Sequence, residues 1–74
     1  MSRMPQVNAR ELTSFLKKRG FVEDRQAGPH LTLWNEERRL SITVPVHTGC
    51  QIGRGLAIRI LKDAGFTVEE FLNG

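Results

Sequence analysis

Residues 25–34 read Arg-Gln-Ala-Gly-Pro-His-Leu-Thr-Leu-Trp. The Gly28-Pro29 pair is typical of a turn, and the residues after it alternate between polar and apolar, as in a strand with one buried face. The stretch therefore predicts a turn over 26–29 that places His30 at the first position of a strand ending at Trp34. A titratable side chain at such a position is held rigidly by the backbone and stays exposed.

Two further strands flank this one. The segment 21–25 precedes the first turn as a short, possible edge strand, and a second turn over 35–38 leads to a strand over 39–44 that is stopped by Pro45. Four-residue turns then fix the cross-strand neighbours. The predicted pairs are Leu33–Leu40, Leu31–Ile42, His30–Thr43, Thr32–Ser41, Trp34–Arg39, Val22–Leu33 and Arg25–His30.

This pairing separates the side chains of the sheet into two faces. The apolar face consists of Val22, Leu31, Leu33, Leu40, Ile42 and Val44. The other face is polar and partly basic, and consists of Arg25, His30, Thr32, Trp34, Arg39, Ser41 and Thr43. Because a slip of one residue would destroy this separation, the pattern specifies the register. His30 is expected on the solvent face, with Arg25 beside it.

A helix is predicted before the strands, over about residues 8–19. Asn8 and Glu11 have the spacing of a capping box, and Leu12, Phe15 and Leu16 form one apolar face. Gly20, which follows the helix, is a typical left-handed stop.

A second helix is predicted after the strands. It follows a loop over 46–54, begins near Arg54 or Gly55 and ends at Gly65, and a capping box at Thr67 and Glu70 opens a short terminal turn. The order of helix, three antiparallel strands and helix predicts an α+β fold. Its two helices pack on one face of the three-stranded sheet.

Length and composition predict one small domain that spans residues 1–74. The chain is 39% hydrophobic and 26% charged, which is ordinary for a globular protein. Its single cysteine allows no internal disulfide, and no segment resembles a signal peptide or a membrane span, so we expect a cytoplasmic protein. The net charge of +3 favours a polyanionic partner, above all nucleic acid. The same charge is equally compatible with a role in solubility alone.

Two histidines, His30 and His47, are the only candidates for catalysis. The sequence has no phosphate-binding Gly-rich loop, no nucleophile elbow and no zinc-binding helix, and its scattered carboxylates predict no metal site and no cofactor. Histidine titrates near pH ~6.5 and can activate the 2′-hydroxyl of RNA without a metal ion. The alternatives are structural: His30 would pack its ring or bind the turn, and His47 would fix its loop.

Cations could offset the charge that develops at an RNA phosphate. Arg25 is the candidate for this role, because the predicted pairing places it beside His30. Weaker candidates for contacts with the RNA backbone are Lys17, Lys18, Arg54, Arg59 and Lys62. For Lys17 and Lys18, the alternative is a favourable interaction with the dipole of the first helix.

Several motifs together resemble the HicA (YcfA-like) toxin family. They run through about residues 5–73 in the order and spacing of that family. They are Glu11-Leu12, Lys18-Arg-Gly-Phe21, Arg25-Gln, Gly28-x-His30, Thr43-Val-Pro-Val-His47, Ile60-Leu-Lys-Asp-Ala-Gly65 and Val68-Glu-Glu-Phe-Leu72.

The resemblance implies a fold, an activity and a partner. The fold would resemble the double-stranded-RNA-binding domain, α-β-β-β-α. The protein would be the toxin of a type II toxin–antitoxin system, a ribosome-independent endoribonuclease that cleaves mRNA. Its catalytic histidine, found in a Gly-Ser-His motif, corresponds to His30. A HicB-like antitoxin would cover the active site.

This sequence departs from the family pattern at two places. Pro29 replaces the usual serine, which preserves the turn but removes a hydroxyl and an N–H donor next to His30. The Gly-Thr-Leu that begins the last helix in the family is Gly55-Leu56-Ala57 here. Two alternatives to the nuclease remain: a non-catalytic RNA-binding module of the same fold, and an interaction protein whose basic face meets an acidic antitoxin.

Overall fold

The computed structural model describes residues 4, 6–46 and 51–74. In chain order the elements are β1 (Val7–Asn8), α1 (Ala9–Lys18), β2 (Phe21–Ala27), β3 (His30–Asn35), β4 (Leu40–Pro45), β5 (Gln51–Ile52), α2 (Arg54–Ala64) and α3 (Val68–Leu72). Strands β2, β3 and β4 form an antiparallel sheet in that order, and β1 pairs with β5. The predicted α+β fold with helices and a three-stranded antiparallel sheet is confirmed, and it is consistent with the α-β-β-β-α order.

The predicted helix boundaries are confirmed to within a residue or two. Asn8 caps α1, since its side chain accepts from the backbone N–H of Glu11 at 2.8 Å and the Glu11 carboxylate accepts from the N–H of Asn8 at 3.0 Å. Thr67 and Glu70 make the same reciprocal pair at α3. Gly65 ends α2 with φ +90°. These ends were predictable because a cap depends only on residues within one turn of it.

The core lies between the helices and one face of the sheet. Leu33 and Val44 of the sheet are fully buried, together with Leu12 and Leu16 of α1 and Leu61 of α2. Aromatic rings extend this core: Phe15 of α1 contacts Phe66 and Phe71 edge to face, each at 5.3 Å between ring centroids. The opposite face of the sheet, called the outer face below, carries neither α1 nor α2.

The β3–β4 register differs from the prediction by two residues. Leu33 pairs with Ile42 rather than with Leu40, and His30 pairs with Pro45 rather than with Thr43. The turn occupies 36–39, one residue later than predicted, and Asn35 and Leu40 pair at its base. A shift of two residues returns every side chain to its original face, so the predicted separation of the β3 and β4 faces is preserved.

The predicted pairing of β2 was wrong for a different reason. Its turn contains only Gly28 and Pro29, and a β-bulge shifts the register between Glu23 and Arg25. The additional residue reverses the alternation along the strand. Val22 was expected in the core, but it pairs with Trp34 on the outer face and is 58% exposed.

Strands β1 and β5 were not predicted. Val7 pairs with Ile52 and Asn8 with Gln51, so the segment before α1 is joined to the segment before α2. Val7 and Ile52 are both buried in the core. Two-residue strands carry no alternation from which they could be recognised, and only the folded chain brings these distant segments together.

Candidate active site

His30 occupies the first position of β3, as predicted, and its side chain is exposed. Its neighbours across the sheet are Ala27 on β2 and Pro45 on β4. No hydrogen bond or ion pair holds the imidazole within the described ranges. The ring is therefore available to an external ligand while its backbone lies in the middle strand of the sheet.

The Gly28-Pro29 turn sets the position of His30 through two constraints. Gly28 has φ +59°, a conformation that side-chain-bearing residues rarely adopt, and it lies at the first central position of a two-residue hairpin, where type II′ turns require glycine. The carbonyl oxygen of Pro29 accepts a 2.7 Å hydrogen bond from the N–H of Val46. The turn is thus tied to the end of β4 on one side and to β2 on the other.

Arg25 lies on the same face of the sheet as His30, but in the neighbouring row of cross-strand partners. Its cross-strand partner is Thr32, whereas the prediction placed it directly opposite His30. Residues on the same face at such a diagonal are about 7–8 Å apart and within reach of a long side chain. Arg25 is exposed and forms no ion pair with any residue that the structure describes. It can therefore approach an anion bound at His30.

Arg54 lies toward the same end of the molecule as His30. The side chain of Arg38, in the turn after β3, donates a 3.0 Å hydrogen bond to the carbonyl oxygen of Ala64 and so fixes the last turn of α2. Strand β4 begins after that turn, and α2 packs against β4. An eleven-residue helix is about 16 Å long, so its first residue lies near the end of β4.

The other four cations that the sequence suggested for RNA contacts lie farther from His30. The side chain of Asn35, at the far end of β3, donates to the carbonyl oxygen of Arg19, which places the C-terminal end of α1 at the end of the sheet opposite His30. Lys17 and Lys18 lie there, and Lys17 is paired with Glu23. Lys62 lies in the last turn of α2, and Arg59 is near the middle of that helix. All four are exposed.

The sequence did not predict the hydrogen bond that joins the Gly28-Pro29 turn to the segment after β4. The donor is Val46, the residue after the strand-ending Pro45. A Pro-Val pair after an alternating strand marks where the strand ends, but it does not show that the next N–H will bond a turn two strands earlier in the chain. His47 lies outside the described residues.

A shallow groove of about 240 Å³ lies on the helix side of the molecule, away from His30. Its lining combines one side of α1 with the end of the chain: Glu11, Ser14, Phe15, Lys18, Phe71 and Gly74. It contains no histidine. Within the described ranges, no three His, Cys, Asp or Glu side chains are close enough to share a metal ion, and no helix is long and apolar enough to cross a membrane.

Comparison with known families identifies the chain. Residues 9–66 match the family described as HicA toxin of bacterial toxin–antitoxin, which is well over half of the 74 residues. The matched segment contains α1, the whole three-stranded sheet with His30, and α2. A search of curated proteins gives no match. The chain belongs to the HicA toxin family of bacterial toxin–antitoxin systems.

Proposed function

We propose that this toxin is an endoribonuclease that cleaves mRNA without a ribosome or a metal ion, and that His30 is its catalytic residue. One observation carries the proposal: the exposed imidazole of His30 has no partner among the described residues. It lies directly after a turn whose Pro29 carbonyl accepts from Val46, the residue after β4, and Arg25 is on the same face. Membership in a toxin family supports the biological role.

The chemistry needs one group that moves a proton and one that offsets charge. As general base, the imidazole of His30 takes the proton of a ribose 2′-hydroxyl, and that oxygen attacks the adjacent phosphorus. The bond from phosphorus to the 5′-oxygen of the next nucleotide breaks, and the leaving oxygen takes a proton from solvent water. The products are a 2′,3′-cyclic phosphate and a 5′-hydroxyl. The guanidinium of Arg25 stabilises the negative charge that accumulates on the phosphate oxygens.

Other cations would hold the rest of the RNA. Arg54 lies toward the His30 end of the molecule and would contact a phosphate close to the cut, whereas Arg59, Lys62, Lys17 and Lys18 would contact phosphates farther away. Contacts of this type position the RNA but do not read its bases. Lys17 would contribute least, because Glu23 already offsets its charge.

The partner of the toxin would be a HicB-like antitoxin that covers His30. The family implies an antitoxin, and covering the exposed imidazole would be enough to stop the reaction. We place the protein in the cytoplasm, where its mRNA substrate is found.

The decisive experiment incubates purified protein with RNA, without ribosomes and in excess EDTA. We expect wild type to cleave the RNA and to leave 2′,3′-cyclic phosphate ends, and we expect a substrate with 2′-O-methyl groups to stay intact. His30→Ala should abolish cleavage with an unchanged circular dichroism spectrum, since the side chain is exposed. His47→Ala, the matched control at the other histidine, should still cleave.

Other outcomes would identify the alternatives. If wild type binds RNA but leaves it intact, and Lys17→Glu with Lys18→Glu weakens binding and its salt dependence, the protein is a non-catalytic RNA-binding module. If purified wild type binds no RNA at moderate salt, it is an interaction protein for its antitoxin. Loss of cleavage in His47→Ala but not in His30→Ala would move the catalytic role to the other histidine.

A further inference from the structure

The outer face of the sheet carries an aromatic site next to the candidate active site. The register arranges its side chains in three cross-strand rows, Ala27–His30–Pro45, Arg25–Thr32–Thr43 and Val22–Trp34–Ser41. The first two rows contain the proposed catalytic groups. The third contains the only tryptophan of the chain, partly exposed on a face that carries neither α1 nor α2.

A hydrogen bond orients Trp34 at this site. Its indole N–H donates a 2.9 Å hydrogen bond to Glu36 in the following turn, and the other carboxylate oxygen of Glu36 lies 3.4 Å from the guanidinium of Arg39. An aromatic residue opposite a β-branched one stabilises a sheet, but Val22 is still 58% exposed. The pair therefore leaves an apolar surface open to solvent beside the ring of Trp34.

We propose that this face binds single-stranded RNA, with a nucleobase stacked on the indole of Trp34 while the phosphate to be cut lies at His30. The proposal rests on the nuclease function above and names its substrate class. Trp34 and His30 are four residues apart on β3, hence about 13 Å, a span that a few nucleotides of an extended strand cover. Between them lie Arg25 and two hydroxyls, those of Thr32 and Thr43, 3.3 Å apart.

The chemistry of the three rows selects RNA as the occupant of this face. A ring for stacking, a guanidinium for phosphate, hydroxyls for ribose or base edges and an imidazole for the 2′-hydroxyl correspond to the parts of a nucleotide. Among the described residues, the carboxylate of Glu36 is the one hydrogen-bonded to Trp34, and it is already shared with Arg39. The net charge of +3 adds a general attraction for a polyanion.

The stacking requires a single strand. In an A-form duplex the bases are stacked on one another, and proteins reach mainly the 2′-hydroxyls and phosphates along the shallow groove. A base can lie on Trp34 only where it is unstacked, as in the open stretches of an mRNA. The fold resembles a domain that binds double-stranded RNA, but we assign binding of the unstacked base to the outer face of the sheet, and the cations of α1 and α2 would contact only flanking phosphates.

The experiment uses the fluorescence of Trp34, since the chain has no second tryptophan and no tyrosine. The 74-residue His30→Ala protein, which should bind without cutting, is titrated with a short single-stranded oligoribonucleotide and with a duplex of the same length. We expect the single strand to quench the fluorescence and the duplex to leave it nearly unchanged. In the same background, Trp34→Leu should lower affinity about tenfold, the lower range for a lost base stack, and Trp34→Phe should lower it less.

Controls keep this inference separate from the nuclease proposal. Leu72→Ala alters a 45%-exposed apolar residue of α3 and should bind RNA as wild type does. In the catalytically intact chain, Trp34→Leu should raise KM with little change in kcat, because stacking binds substrate and transition state alike. Thermal melting establishes that each variant is folded.

The inference is overturned if folded Trp34→Leu binds and cleaves single strands as wild type does, while His30→Ala still abolishes cleavage; the nuclease proposal would then survive. It is equally overturned if RNA leaves the fluorescence unchanged and only the antitoxin shifts it, because the aromatic site would then be a protein-docking surface.

Discussion

The backbone N–H of Val46 donates a 2.7 Å hydrogen bond to the carbonyl oxygen of Pro29. This bond joins the end of β4 to the turn that carries His30. His30 also pairs with Pro45. The segment 28–30 is therefore held by two contacts, the Val46–Pro29 hydrogen bond and the pairing of β3 with β4. The backbone of a histidine held in this way loses little conformational freedom when a ligand binds, which favours a catalytic role over a purely electrostatic one.

Gly28→Ala should reduce RNA cleavage by more than its effect on stability explains. With φ +59° and nothing within 4 Å of the position of a Cβ atom, the substitution is opposed by backbone conformation alone, which costs about 1–2 kcal/mol in the free energy of unfolding. A turn that relaxes would also displace His30. Urea denaturation and cleavage rates of the folded variant test this.

Gly55→Ala is the matched control for Gly28→Ala. Gly55 also has open space around it, but it lies inside α2. Alanine there should raise the free energy of unfolding by about 0.5–1 kcal/mol. If both alanine variants change stability in the same direction, backbone conformation does not explain the effect at Gly28.

Pro29→Ser restores the residue of the family motif and should leave the cleavage rate unchanged. The turn uses the carbonyl of Pro29, which serine keeps, and the N–H at the second central position of a two-residue turn is not part of the hairpin ladder. Loss of the ring adds freedom to the unfolded chain and should cost about 0.4–1 kcal/mol. Paired melting curves and single-turnover rates measure both effects, and a faster variant would show that the serine hydroxyl contributes to catalysis.

Asn35→Ala should lower the free energy of unfolding by about 2 kcal/mol. Asn35 is only 1% exposed, and its amide joins two elements: it accepts from the N–H of Arg38 at 2.8 Å and donates to the carbonyl of Arg19 at 3.3 Å. Alanine leaves both backbone groups without this partner. Asn73→Ala, at an exposed position after α3, should change stability by less than about 0.5 kcal/mol, and an equal effect of the two variants in urea denaturation would contradict the assignment.

Arg38→Ala should destabilise the fold by about 1–2 kcal/mol. The guanidinium bonds the carbonyl of Ala64 and lies 4.6 Å from the centre of the Phe66 ring, so it couples the β3–β4 turn to α2. Arg38→Lys keeps the charge, but lysine has no planar group that can bond the Ala64 carbonyl and stack on Phe66 at once. We expect it to recover less than half of the stability that Arg38→Ala loses. Full recovery of Tm by lysine would show that charge alone is responsible.

Arg39 offers a test of backbone strain. It is the only residue besides glycine with a positive φ, +55°, in the part of the chain that the structure describes. Its ion pair with Glu36 spans 3.4 Å between groups that are each 77% exposed, which contributes little. Arg39→Gly should therefore be more stable than Arg39→Ala by about 1 kcal/mol, as measured by thermal melting of the two variants. Equal stabilities would mean that the turn relaxes without strain.

Much of the candidate site followed from the sequence. The Gly28-Pro29 turn, His30 at the start of a strand and its exposed face were predicted from local pattern, and the structure has them. For Arg25, the sequence predicted the correct face of the sheet but the wrong cross-strand partner. Its row depends on the bulge in β2, and residues 21–27 contain no glycine or proline that would mark one.

The sequence alone determined the features that depend on near neighbours. The caps at Asn8 and Thr67 and the stop at Gly65 involve residues within one helical turn. The two faces of β3 and β4 depend on alternation, which survives a shift of two residues. Packing between distant segments sets that shift, the bulge, the β1–β5 pairing and the bond from Arg38 to Ala64. These features join segments far apart in the chain, and their free energy is gained only when packing brings both partners together, so no local pattern specifies them.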